Sequence, residues 1–127
     1  MQKKLLIVDD EEYTLLALKR LLGSPRLEVD VSQTLEEAEE KIRAGGYDVV
    51  IADLRLTGIL GEEGLEIIQY VRDHSPQTNV ILVTGYGDPA IMQRAFSLGA
   101  AFYFEKPVKS SVLTEALRSL GLEIVSC

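Results

Sequence analysis

Four charged residues stand at the ends of apolar runs: Asp9 and Asp10 after KKLLIV, Asp53 after DVVIA, and Lys106, followed by Pro107, after AFYFE. In an open α/β sheet the ligand crevice lies beyond the carboxyl ends of the strands, so charged groups arriving there from separate strands point to one site. Three carboxylates brought together repel one another, and without a counter-charge one is driven toward its protonated form. A hard divalent cation with oxygen ligands supplies that charge. Mg²⁺ suits an open site because it keeps several waters and takes only a few carboxylates together with phosphate oxygens. Lys106 adds a second positive charge, and the Thr84 hydroxyl at the end of NVILVT adds a donor for a phosphoryl oxygen. These are the parts of a phosphoryl-transfer site. Asp53 is its nucleophile, because it stands alone on a central strand while Asp9 and Asp10 can share the metal, and carboxylates that become aspartyl phosphates are an established route. The plainer alternative is helix capping, since a helical pattern starts just after Asp10 and acids are favoured there. Capping accounts for Asp10 but not for the whole set, whereas Lys106-Pro107 alone would be a strand-to-helix turn.

Positioning these groups falls to five runs that read as strands, at 3–8, 27–31, 48–52, 79–84 and 101–105. Two or three of them are apolar on both faces, as strands of a parallel sheet covered by helices are. The segments between them carry helical spacing: Leu15, Leu18 and Leu22; then Leu35, Ala38 and Ile42; Ile67, Tyr70 and Val71; Ile91, Ala95 and Leu98; and Leu113, Ala116, Leu117 and Leu120. Gly23-Ser24-Pro25, Gly45-Gly46, Ser75-Pro76 and Gly99 fall where those helices should stop. With right-handed crossovers, five βα units give an α/β fold: a doubly wound five-stranded parallel sheet, most simply in the flavodoxin-like order 2-1-3-4-5. Its switch point lies between the first and third strands, the ones that end in Asp9-Asp10 and Asp53.

Bulk properties bound the answer. The chain has 127 residues, 46% hydrophobic and 26% charged, with no composition shift and no repeat, so one domain over 1–127 is expected. No apolar stretch approaches the roughly 20 residues of a membrane helix, and MQKKLLIVDDEE reaches acids before a signal-peptide core forms, so a soluble cytoplasmic protein is expected. A net charge of −7 disfavours direct nucleic-acid binding, although solvated faces such as LEEAEEK account for part of it. The single cysteine, Cys127, excludes an internal disulfide or cysteine metal site, and His74, near the end of the third helix, reads as structural rather than as a phosphohistidine.

In order and spacing, Asp9 and Asp10 in LIVDDEE, Asp53 in VVIADLRL, Thr84 in ILVTGYGD and Lys106-Pro107 in FYFEKP resemble the response-regulator receiver domain, the CheY-like phosphoacceptor of two-component signalling. The resemblance spans essentially the whole chain and implies a (βα)5 fold with Asp53 phosphorylated. It makes Asp10 a direct Mg²⁺ ligand alongside Asp53, Asp9 a ligand through water and the Arg55 backbone carbonyl a further ligand. Lys106 would pair with phosphoryl oxygens across a cis Lys106-Pro107 peptide. Thr84 and Tyr103 match the switch pair, although Tyr103 also fits an ordinary edge-strand aromatic. Gly85 falls where the family wants a small residue that leaves the site open, and a turn glycine is the plain alternative. Arg55 and Tyr86 would shield the acyl phosphate, unless Arg55 pairs with Glu62 or Glu63. Tyr13, Thr14 and Ala17 lie on the face that receives the donor, a histidine kinase or histidine phosphotransfer protein. The opposite face, with Arg94 and Tyr103, is the usual output surface toward an effector, with a monomer or phosphorylation-dependent dimer as the working form. This chain departs from the pattern at Thr57, where the family has proline. A short insertion is also expected around GILGEEG, because Gly61 keeps the family's spacing while GLEII begins only at Gly64.

Two other classes compete with this signalling module. An aspartate-nucleophile phosphohydrolase of the haloacid dehalogenase kind expects a second acid two residues after the nucleophile, where Arg55 stands, and a cap domain for which no segment is left. A phosphorylation-independent binding module usually loses acids or the lysine, and all are present here. The expectation is therefore a receiver without an output domain in this chain, assisting only its own phosphotransfer and slow autodephosphorylation rather than acting as an enzyme.

Overall fold

The computed structural model describes residues 2–53, 62–85 and 89–124, apart from the side chains at positions 53, 62 and 63. Strand and helix alternate throughout: β1 (Lys3–Asp9), α1 (Glu12–Leu22), β2 (Leu27–Ser32), α2 (Leu35–Ala44), β3 (Val49–Asp53), α3 (Glu62–His74), β4 (Asn79–Thr84), α4 (Pro89–Ser97), β5 (Phe102–Glu105) and α5 (Ser110–Ser119). All pairings are parallel and the order is β2-β1-β3-β4-β5, as the sequence predicts.

Period-two alternation along the strands sorts the core into two layers. Leu6, Val8, Val50, Ala52, Val80 and Leu82 pack with Ala38 and Ile42 of α2, Leu65, Ile67, Ile68 and Val71 of α3, and Ala95 of α4. Leu5, Ile7, Val49, Ile51, Ile81 and Val83 face Leu15 and Leu22 of α1 and Leu113, Ala116 and Leu117 of α5. The expected helix faces are therefore the ones that meet the sheet, with Leu18, Tyr70, Leu98 and Leu120 partly buried at the margins.

Strand limits shift by one residue from the sequence expectation. β3 begins at Val49 rather than 48, although the Asp48 backbone N–H still donates to the Lys4 carbonyl at 2.9 Å and its carboxylate accepts the Lys4 N–H at 2.9 Å. It runs on to Asp53, whose Cα is in register with that of Asp9. β1 and β2 each extend one residue beyond expectation, to Asp9 and Ser32, and β5 starts one later, at Phe102. The helix stops fall where expected, with α2 ending before Gly45 and α4 shortly before Gly99. α5 closes on a further signal, Gly121: at φ +95 it lets its own N–H reach the Arg118 carbonyl and the Leu122 N–H the Leu117 carbonyl, at 3.0 and 3.1 Å.

At the amino end of the sheet Tyr47 ties three segments together. Its hydroxyl donates to Asp30 on β2 at 2.6 Å, the Lys4 ammonium sits 4.6 Å from its ring centroid, and its carbonyl accepts from the Thr78 hydroxyl at 2.7 Å. Burial, then the bond to the negative Asp30, push the Tyr47 phenol above its ordinary range, because both disfavour the phenolate.

Candidate functional site

The carboxyl edge of the sheet is where the chemistry-bearing residues meet. Asp9 and Asp53 are register partners on adjacent parallel strands, which places their backbones about 4.8 Å apart. Asp9 is fully buried, and its Oδ1 accepts the Glu11 N–H at 2.8 Å, so the turn into α1 fixes that carboxylate. Asp10, one residue on, is exposed. The N-cap of α1 is Glu11, without a side-chain capping bond, so the capping reading of Asp10 does not hold. The Asp53 side chain and Arg55 lie outside the described residues, as do Thr57, Gly61 and Tyr86.

Thr84 closes β4 as one of the few buried polar residues, on the same strand face as Val80 and Leu82. Its carbonyl accepts the Lys106 N–H at 2.8 Å, so the segment bearing the lysine is tied to the β4 end. Lys106 is exposed, and its peptide to Pro107 is cis, as expected. Tyr103 is half-buried and packs with the layer that includes Leu82, its Cα register partner. Thr84 pairs with Glu105, so Thr84 and Tyr103 sit two residues apart on one face, within diagonal reach. The Phe96 ring of α4 lies 6.5 Å from that of Tyr103, and Phe96 and Met92 are left exposed. Gly85 is exposed, and a Cβ there would meet nothing within 4 Å among the described residues.

Tyr13, Thr14 and Ala17 of α1 line an open cavity of about 490 Å³ together with Lys106, Pro107 and Val108, over a floor of Ile51 and Val83. Tyr13 is 88% exposed, so the predicted docking residues adjoin the lysine rather than lying apart from it. His74 is exposed at the end of α3, stacked on Tyr70 with its Nδ1 3.0 Å from the Tyr70 carbonyl, remote from these groups in the fold.

Every side-chain donor that the sequence assigns to a metal is a carboxylate, a hard oxygen set that fits Mg²⁺. Among the described residues no three acids, histidines or cysteines gather for a metal, and the trio requires Asp53. The Glu11 N–H that orients Asp9 was not legible in the motif, since a backbone donor carries no residue signature.

Residues 5–118 match the model for the response regulator receiver domain. The photosynthetic apparatus regulatory protein RegA of Rhodobacter capsulatus is 31% identical over 121 residues, covering 94% of this chain. The chain spans only 63% of that relative's length. A CheY-like receiver domain protein from Methanospirillum hungatei superposes with a TM-score of 0.83 at 27% identity, covering 94% of this chain and 93% of the other. A response regulator from Burkholderia pseudomallei, solved with a phosphorylated aspartic acid, a calcium ion and citrate, is 28% identical with a TM-score of 0.78, over 91% of this chain and 66% of that one.

Proposed function

The chain belongs to the response regulator receiver family, a signalling family rather than a class of enzymes, and on that premise we propose that Asp53 is its phosphoacceptor. One observation carries the assignment: Asp53 ends β3 in register with Asp9, at the sheet edge where the Thr84 carbonyl also holds the Lys106 N–H. In the proposed transfer a carboxylate oxygen of Asp53 attacks the phosphorus of a phosphohistidine. A P–O bond forms, and the P–N bond breaks with its electron pair leaving on the imidazole nitrogen. Lys106 offsets charge on the phosphoryl oxygens and the Thr84 hydroxyl donates to one of them. Asp9, Asp10, Asp53 and the Arg55 carbonyl would hold Mg²⁺, which when bound offsets the negative charge of the carboxylates and the phosphoryl group.

The donor is a histidine kinase or histidine phosphotransfer protein. It docks on Tyr13, Thr14 and Ala17, whose cavity opens beside Lys106. Output leaves through Thr84 and Tyr103 to the α4 surface, where Met92 and Phe96 are exposed. Among the described residues no helix is long and apolar enough to cross a membrane.

Incubation with Mg²⁺ and acetyl phosphate, followed by intact mass, tests the assignment. One phosphoryl adduct on the wild type and none on Asp53→Ala is the expected result. Absence of an adduct and of any Mg²⁺-dependent change with beryllofluoride overturns it, and phosphate release over many turnovers would instead favour a hydrolase.

A further inference from the structure

α1 is apolar on two faces. Leu15, Leu18 and Leu22 meet the sheet, while Tyr13, Leu16, Ala17 and Leu21 stand on the exposed side at i, i+3, i+4 and i+8, with Arg20 completing that stripe at i+7. Tyr13, Leu16 and Leu21 are 88, 56 and 54% exposed, and they are three of the six large hydrophobic side chains left exposed among the described residues. One apolar stripe seats a helix on its sheet, so a second, outward one marks a contact surface. The charges around it say what fits. Glu12 opens the helix and Lys19 and Arg20 close it, all exposed and none in an ion pair with another described residue. By helical spacing Glu12, Leu16 and Lys19 share one flank of the stripe, so the acid and the base lie about a turn to either side of a leucine. A helix charged in this way is complementary to a copy of itself running antiparallel.

We propose that the outward face of α1 pairs with the same face of a second copy of this chain, the helices antiparallel about a two-fold axis beside Leu16 and Ala17, with no phosphoryl group required. In that register Leu16 meets the partner's Leu16 and Ala17, Glu12 comes beside the partner's Lys19, and the Tyr13 ring lies against the guanidinium of the partner's Arg20. The two-fold axis makes each of these contacts twice. A parallel pair would instead set Glu12 against Glu12 and Arg20 against Arg20. A net charge of −7 makes two copies repel at a distance, so an apolar stripe alone would not hold them, whereas a local match of opposite charges does. One helix pair is a small interface, at the weak and transient end of the range. Tyr13 and Ala17 also belong to the face proposed for the phosphohistidine donor, so paired chains withhold that face from it. This consequence rests on the donor reading, and the pairing itself does not.

Sedimentation velocity on the unphosphorylated protein from about 10 µM to about 1 mM, the range in which a small interface dissociates, reads the pairing directly. A shift from monomer to dimer across that range is expected. Glu12→Lys and Lys19→Glu each set like charges together twice per dimer, and each alone should weaken association by roughly tenfold. Mixed in equal amounts, the two single variants should regain the dimer, because every charged contact between the unlike chains then joins a lysine to a glutamate. The double variant should pair with itself as the wild type does. Both positions are exposed, and circular dichroism checks that each variant is folded. Leu16→Gln, which changes no charge, should also weaken the dimer. A wild type that stays monomeric throughout overturns the proposal and leaves the face to a different protein. A dimer that neither charge variant weakens, or a mixture that associates no better than its components, overturns it too, and places the pairing on another surface such as Met92 and Phe96 of α4. A wild type that pairs as expected but takes no phosphoryl group on Asp53 overturns the acceptor reading and leaves this inference standing.

Discussion

Tyr47→Phe deletes one oxygen from the fold, and its cost should depend on pH in a calculable way. The lost contact is a 2.6 Å hydrogen bond from a buried phenol to the Asp30 carboxylate. Bonds to charged partners contribute about 1.5–3 kcal/mol, so about 2 kcal/mol is the expected loss at pH 7. With an unfolding entropy of roughly 2.1 cal/mol/K per residue over 127 residues, that is a fall of about 7 °C in melting temperature. The phenol is raised in the folded state by burial and by Asp30, while the unfolded phenol ionises near pH 10. Below that pH neither form is ionised and the full contribution is present. Above it the unfolded chain releases the proton first, so the wild type loses up to about 1.4 kcal/mol per pH unit through this group. Phenylalanine has no such loss, and the other tyrosines and lysines cancel in the difference. The gap between the two proteins should therefore shrink from about 2 kcal/mol at pH 7 to roughly 0.6 kcal/mol at pH 11. Urea denaturation followed by circular dichroism measures it, because the chain has no tryptophan to serve as a fluorescent probe. A gap that stays constant from pH 7 to 11, or is absent at pH 7, would refute the account of a buried phenol held by Asp30.

Ser32, fully buried at the end of β2, has a hydroxyl with no hydrogen-bond partner among the described residues. Ser32→Ala should raise stability by about 1 kcal/mol, roughly 4 °C in melting temperature, whereas a neutral or negative change would show the hydroxyl bonded to an enclosed water. Gly121→Ala meets no atom of the described residues within 4 Å but must hold φ +95, so it should cost about 1 kcal/mol through backbone strain. Gly121→Asn, which tolerates that conformation better, should cost less, and equal denaturation midpoints for the two variants would contradict the strain argument.

The sequence carries the fold because its signals are local and repeated: apolar runs bounded by glycine, proline and acids, with helical spacing between them. Parallel order follows from strands apolar on both faces, and the carboxyl-edge site follows from order plus the residues at the strand ends. What escapes is contact between distant residues. The Tyr47 bond to Asp30 spans 17 positions and the Asp48 bond to Lys4 spans 44, and neither leaves a periodic trace. Asp9 illustrates the opposite case: its type and place are plain in the sequence, but the donor that aims it is the Glu11 backbone, and every residue except proline has one.

The register that sets Asp9 beside Asp53 also sets Leu5 beside Val49 and Ile7 beside Ile51. Sliding β1 by one residue would exchange its two faces, sending Asp9 toward the opposite layer and reshuffling the apolar contacts on both sides of the sheet at once. A chain that mispairs these strands thus fails as a folded domain before it can exist as a faulty receiver. The acids need no separate proofreading, since correct assembly of the core is the inspection that their alignment must pass.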